Sequence, residues 1–179
     1  MWDWNVVITV QDGNFTRVRQ LLDRYGKIKR TDFYNVLVMK VDDVSAFHEQ
    51  LAEHGARKPD ILRLIGRVMP ASELFEFQDT ETFEAKAREA ALRWTPRLAG
   101  KSFHVRMHRR GLKEALPSQQ EERMLDRALL EALEHAGTPG RIDFEDPDLI
   151  LDVETVDRRA GMSLWTREQL DRYPFLKLD

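Results

Sequence analysis

The chain has 179 residues, of which 42% are hydrophobic and 33% charged, with a net charge of −3 and no cysteine. This excludes a disordered chain and any disulfide, thiolate metal site or thiol nucleophile, and it leaves room for one ordinary domain or two small ones. Net acidity argues mildly against nucleic acid as a partner, although a local basic patch is compatible with an acidic whole. The first ten residues carry no basic segment followed by an apolar stretch of signal-peptide length. No segment reaches the ~20 apolar residues that span a bilayer, so the expectation is a soluble cytoplasmic protein with no membrane partner.

Trp4, Val6, Ile8 and Val10 alternate with other residues and predict a strand. Asp12-Gly13-Asn14 is a turn. Phe15, Val18, Leu21, Leu22 and Tyr25 recur at helical spacing, and Gly26 closes that helix. A short strand at 28–30 and a longer one at 33–41 follow. Asp42 and Asp43 start a second helix through Val44, Phe47 and Leu51, which Gly55 is expected to stop. A last apolar strand is placed at 61–68. The order strand, helix, strand, strand, helix, strand is the ferredoxin-like pattern of two split βαβ units.

Pro70 breaks the pattern, and 71–79 reads as a surface connector containing Phe75 and Phe77. The expected division is a ferredoxin-like domain over 1–76 and an α/β domain over 77–179. The second part opens with a helix over 80–97, bearing Phe83, Ala87, Ala90, Ala91 and Trp94 near one face. From 102 to 108, Phe103, Val105 and Met107 alternate with His104, Arg106 and His108, which predicts a half-polar strand. Arg109-Arg110-Gly111 reads as a basic turn. Ser118 and Glu121 have the S-x-x-E spacing of a capping box, heading a helix whose apolar face is Met124, Leu125, Ala128, Leu129, Ala132 and Leu133. A strand over 149–156, a turn at 157–160, a strand over 161–165 and a short C-terminal element with Leu170, Tyr173 and Phe175 complete the chain.

Signatures of catalysis are missing from the sequence. There is no phosphate-binding G-x-x-x-x-G-K-[ST], no dinucleotide glycine motif and no nucleophile elbow. His104 and His108 sit four apart in a strand, a span of ~13 Å, which argues against a shared metal. Asp143, Glu145, Asp146 and Asp148 crowd one loop, where a solvated turn is the plainer reading than acid–base chemistry. The expectation is a non-enzyme with no metal and no cofactor.

One segment departs from the mixed charge of the rest. Lys101, Arg106, Arg109, Arg110 and Lys113, with His104 and His108, run without an acidic interruption, and Arg158 and Arg159 form a second basic turn. If the two turns share an edge of one sheet, their guanidinium groups suit phosphate oxygens, and Gly111 lets a backbone or ligand approach. Merely solvated turns are the competing reading, as is an ion pair of Arg106 with Asp152 or Glu154.

Four spaced motifs resemble the THUMP domain over roughly residues 80–170. They are Phe103-His104-Val105-Arg106-Met107-His108-Arg109-Arg110-Gly111, then Ser118-x-x-Glu121-Glu122-Arg123, then Pro147 to Glu154, then Ala160-Gly161-Met162-Ser163-Leu164. Ile65-Gly66-Arg67-Val68-Met69-Pro70 is similar to the exit of the ferredoxin-like domain that often precedes THUMP. The resemblance implies a module that captures the tRNA acceptor stem and 3′ CCA end, assisting modification by a separate catalytic protein and closest in arrangement to a tRNA acetylation adaptor. It implies RNA contacts at Arg106, Arg109, Arg110 and Gly111, and more weakly at Lys113, Arg158 and Arg159; Lys101 and His104 join them as members of the basic segment. Arg123 matches a helix position with an equally plausible structural role. Phe75, Phe77, Tyr173 and Phe175 are candidates for a surface meeting a catalytic partner, with core packing as the competing role. The alternative is a protein-interaction or small-ligand module with no RNA role.

Overall fold

The computed structural model describes residues 2–176. Chain contacts divide it into two units, one running to Ser72 and resuming at Gln169, the other covering Glu73–Glu168. The sequence reading divides the chain between 76 and 77 instead and gives the second part the whole C-terminus. Its residues 177–179 lie outside the described residues.

In the first unit, strand β1 (Val6–Val10) lies between β3 (Val36–Lys40) and β4 (Ile65–Pro70), and β2 (Lys27–Arg30) borders β3. All pairings are antiparallel and the order is β2-β3-β1-β4. With helices α1 (Phe15–Leu22) and α2 (Val44–Arg57) this is the ferredoxin-like topology. β1 is an inner strand, and its Val6, Val7, Ile8 and Val10 are all buried. Asp43 caps α2 by accepting from the Ala46 N–H at 2.9 Å.

Two expectations fail here. Gly55 does not stop α2, which continues to Arg57. A Cβ at Gly55 would lie 3.0 Å from Leu62 Cδ1, so the glycine serves close helix packing. The segment read as a strand over 61–68 begins as a helical turn, α3 (Asp60–Leu64), and only then extends into β4. A short apolar run carries no period that separates the two.

After α7 (Arg167–Arg172) the chain returns to the first unit, where Tyr173 and Phe175 are buried against His48. Burial lowers the His48 pKa to about 4, more than the neighbouring Glu49 carboxylate raises it. Arg172 and the Tyr173 hydroxyl both bind Glu49. The two rings are thus core, as is Phe77 at 1% exposure in the second unit, and Phe75 is half-buried; none offers an exposed partner surface.

The second unit is a five-stranded sheet in the order β5-β9-β8-β6-β7. Its strands are β5 (Glu73–Glu76), β6 (Ser102–Arg110), β7 (Arg141–Ile142), β8 (Leu149–Val156) and β9 (Arg159–Thr166). Helices α4 (Thr80–Leu92), α5 (Thr95–Leu98) and α6 (Ser118–His135) accompany it. β6 and β8 are parallel, and α6 lies between them in sequence. Ala87 and Ala91 of α4 and Leu125, Leu129 and Leu133 of α6 pack with Phe103, Val105, Val153 and Met162 of the strands. Each fully buried large side chain contributes about 1.5–3 kcal/mol.

The sequence reading is corrected at four places in this unit. The connector 71–79 contains β5, which pairs with β9. The helix over 80–97 is two helices, α4 and α5, with Pro96 in the first turn of the second. Arg109 and Arg110 belong to β6 rather than to a turn. The capping box does not form: Pro117 is the N-cap, no side chain caps α6, and Glu121 is only 3% exposed with Oε2 unpartnered. Burial, aided by the Glu84 charge, pushes the Glu121 carboxyl up to about 7.

β7 covers the outer edge of β6 only at Ser102 and Phe103. Further along that edge α6 supplies carboxylates instead. Asp126 Oδ1 accepts from the Val105 N–H at 2.9 Å, and Glu122 Oε1 from the Met107 N–H at 2.8 Å. Side chains thereby occupy an edge that would otherwise present free strand donors.

Candidate nucleic-acid interface

β6 presents Phe103, Val105 and Met107 to the core, so strand alternation places His104, Arg106, His108 and Arg110 on the opposite face. Its register with β8 puts Arg106 opposite Asp152, His108 opposite Glu154 and Arg110 opposite Val156. His108 Nδ1 lies 3.3 Å from Asp152 Oδ1 and 3.6 Å from Glu154 Oε1, and Arg110 pairs with Glu154. Asp152 and Glu154 are almost completely buried, and buried carboxylates demand such partners.

His108, Asp152 and Glu154 also bring three ligand atoms within 4.8 Å of one another, a spacing compatible with a divalent cation. The Arg110 guanidinium already supplies the positive charge at Glu154, and we assign the cluster to an ion-pair network.

The two basic segments meet at one end of the sheet. The Asp157 N–H donates to the Arg110 carbonyl at 3.0 Å, so the β8–β9 turn sits beside the C-terminal end of β6. Arg109, Arg110, Gly111, Lys113, Arg158 and Arg159 gather around this end. Arg109 Nη1 donates to the Gly111 carbonyl at 2.8 Å, and Arg158 donates to the Gln78 carbonyl. Arg159 is 9% exposed and lies 3.5 Å from Glu76, so like Arg110 it is an internal ion-pair member. Lys113 and Arg158 are exposed, and Arg109 is half-buried.

The backbone here is unusual. Gly111, Leu112 and Asp157 have φ of 89°, 51° and 54°. Glycine adopts this region freely, whereas non-glycine residues hold it at a cost of order 1 kcal/mol. The loop is fixed by the Thr80 hydroxyl donating to the Ala115 carbonyl at 2.7 Å, next to the start of α4, which Asp79 caps. α6 begins a few residues on without a side-chain cap, leaving its first amides as a local source of positive potential.

Lys101 and His104 do not join this group. Lys101 precedes the other end of β6, about 26 Å away at ~3.3 Å per residue. His104 is buried, its Nδ1 2.8 Å from the Asp143 carbonyl and its ring 5.3 Å from that of Phe144. Arg106 is exposed on the polar face of the strand. In the acidic loop, Asp143 accepts from the Glu145 and Asp146 amides, and Asp148 accepts from Ser102 N–H at 2.9 Å, which lowers both carboxyl pKa values. Those carboxylates thus hold a turn and fasten β8 to β6.

Sequence reasoning missed the register that commits Arg110 and Arg159 to carboxylates. It also missed Tyr34 and Phe144, the large hydrophobics left 81% and 72% exposed. Tyr34 follows the start of the segment read as a strand but lies in the turn before β3.

The fold is a ferredoxin-like domain followed by a THUMP-type α/β domain. No family model matches the chain, and no curated protein matches it in sequence. Among solved structures, PH1313 from Pyrococcus horikoshii Ot3 is 14% identical with a TM-score of 0.64, over 91% of this chain and 54% of that one. TrmN from Thermus thermophilus is 21% identical with a TM-score of 0.63, over 90% and 45%. A 4-thiouridine synthetase, solved in complex with RNA and bound ATP, is 13% identical with a TM-score of 0.58, over 92% and 42%. The chain spans about half the length of the solved chains it matches.

Proposed function

We propose that this protein binds RNA, specifically the acceptor stem and 3′ CCA end of tRNA, and presents it to a separate tRNA-modifying enzyme. The observation that carries the reading is the Asp157-to-Arg110 hydrogen bond, which joins two basic segments far apart in sequence at one sheet end. Lys113, Arg158 and Arg109 are the phosphate contacts. Gly111 and Leu112 shape the loop that admits the backbone. Arg110 and Arg159 position these groups through their carboxylate partners.

Arginine forks and a lysine point charge suit phosphate oxygens, and RNA ends are read by shape, phosphate contacts and stacking. One of the solved proteins sharing the fold is an RNA complex, which supports the reading. The solved chains named above, a synthetase and TrmN among them, are matched over 54% of their length or less. We assign the chemistry of modification to a unit other than the residues described here.

The test is the double variant Lys113→Glu/Arg158→Glu. Both side chains are exposed, so the fold should survive. Affinity for tRNA should drop at least tenfold, and the log–log salt slope should shrink by about two. Binding equal to that of the parent protein would remove this end of the sheet from the interface.

A further inference from the structure

A second cationic feature lies on the helical layer of the second unit. Gln120, Arg123, Met124, Arg127, Ala128 and Glu131 form a stripe along α6 at helical spacing, and Arg88 of α4 faces it. Together they line a cavity of about 440 Å³ that is open to solvent. Met124 and Ala128 supply its apolar surface, and three guanidinium groups outnumber the single Glu131 carboxylate in its lining.

These three arginines contrast with the ion-paired arginines of the chain. Arg57, Arg63, Arg93, Arg110, Arg167 and Arg172 each lie within 4.0 Å of a carboxylate. Arg88, Arg123 and Arg127 have no ion pair or side-chain hydrogen bond among the described residues. Acidic residues stand within helical reach, Glu84 four residues before Arg88 and Glu131 four after Arg127, yet neither closes a pair. Arg123 and Arg127 are themselves an i,i+4 like-charge pair, which costs a helix a few tenths of a kcal/mol. Helix stability alone does not account for this arrangement.

The geometry points to a phosphodiester-binding groove between α4 and α6, in which Arg88, Arg123 and Arg127 grip the backbone of duplex RNA. It rests on the RNA reading above and gives the stem a contact surface of its own, apart from the basic sheet end. α6 begins just after the loop carrying Lys113, and Arg123 and Arg127 lie about 8 and 14 Å along its axis at ~1.5 Å per residue. One RNA strand can therefore contact the basic sheet end and continue onto the groove. Phosphate is the chemistry that three unpaired guanidinium forks recognise. The duplex portion is assigned here because the groove offers charge without an exposed aromatic ring for stacking an unpaired base.

The experiment compares the parent protein with Arg88→Ala/Arg123→Ala/Arg127→Ala, all exposed helix positions where alanine preserves helicity. Far-UV circular dichroism checks the fold. Two probes are titrated over a range of salt: a hairpin with a duplex stem and a 3′ CCA overhang, and a short single strand ending in CCA. The log–log salt slope for the hairpin should shrink by about two to three in the triple variant, with single-strand binding unchanged. A parent protein that binds the hairpin, with an unaltered slope in the variant, overturns the groove and leaves the RNA reading standing. A parent protein that binds neither probe overturns both. Equal loss on the two probes also overturns the groove, because it assigns the arginines to the CCA end.

Discussion

Asp126 of α6 offers a quantitative check on how the second unit is held together. Its side chain is 8% exposed, and its Oδ1 accepts the Val105 N–H of the β6 edge. Burial is the largest influence on its acidity, partly offset by that hydrogen bond and reinforced by Glu122, and it carries the carboxyl from 3.8 up to about 7. A folded pKa above the unfolded one means that the native state binds the proton more tightly. The associated stability is fully present below the unfolded value and is lost as pH rises through about 7. The full difference is on the order of 4 kcal/mol, and between pH 8 and pH 5 the gain is roughly 2.5–3 kcal/mol. Asp126→Asn keeps an oxygen for the Val105 N–H and removes the charge. Urea unfolding of both proteins at pH 8, 7, 6 and 5 isolates this residue. The stability of the parent relative to the variant should rise steadily as pH falls. A difference that stays flat across this window, or rises with pH, refutes the reasoning.

Two further perturbations probe the packing of each unit. Gly26→Ala places a Cβ 2.2 Å from the Lys40 carbonyl oxygen, which as backbone cannot step aside, and chemical denaturation should show a loss of about 2–3 kcal/mol. Phe103→Ala empties a fully buried position in the second unit and should cost about 3–5 kcal/mol by the same measurement.

The sequence made some of this fold legible and concealed other parts for identifiable reasons. β8 could be bounded at 149 and 156 because Pro147 and the charged turn at 157 flank an apolar run. The ferredoxin-like order was readable because β1, α1 and α2 each have a clear period. β5 was hidden because its strand character comes from pairing with β9, more than eighty residues away. The S-x-x-E pattern at 118–121 misled because local capping lost to burial of Glu121. At the candidate interface, charge alone located the basic run. Which arginines remain available depends on the β6–β8 register and on Glu76 and Glu154, neither of which local pattern reveals. The α6 stripe could be drawn from helical spacing, but its meeting with Arg88 required the packed helices.

The most direct test of the central claim is equilibrium binding of the unaltered protein to tRNA with and without its 3′ CCA, at two salt concentrations. The account predicts binding that weakens with salt at a log–log slope of about 2–4, as three to five neutralised phosphates require, and that weakens again when CCA is removed. Absence of binding, or binding indifferent to salt, would contradict it.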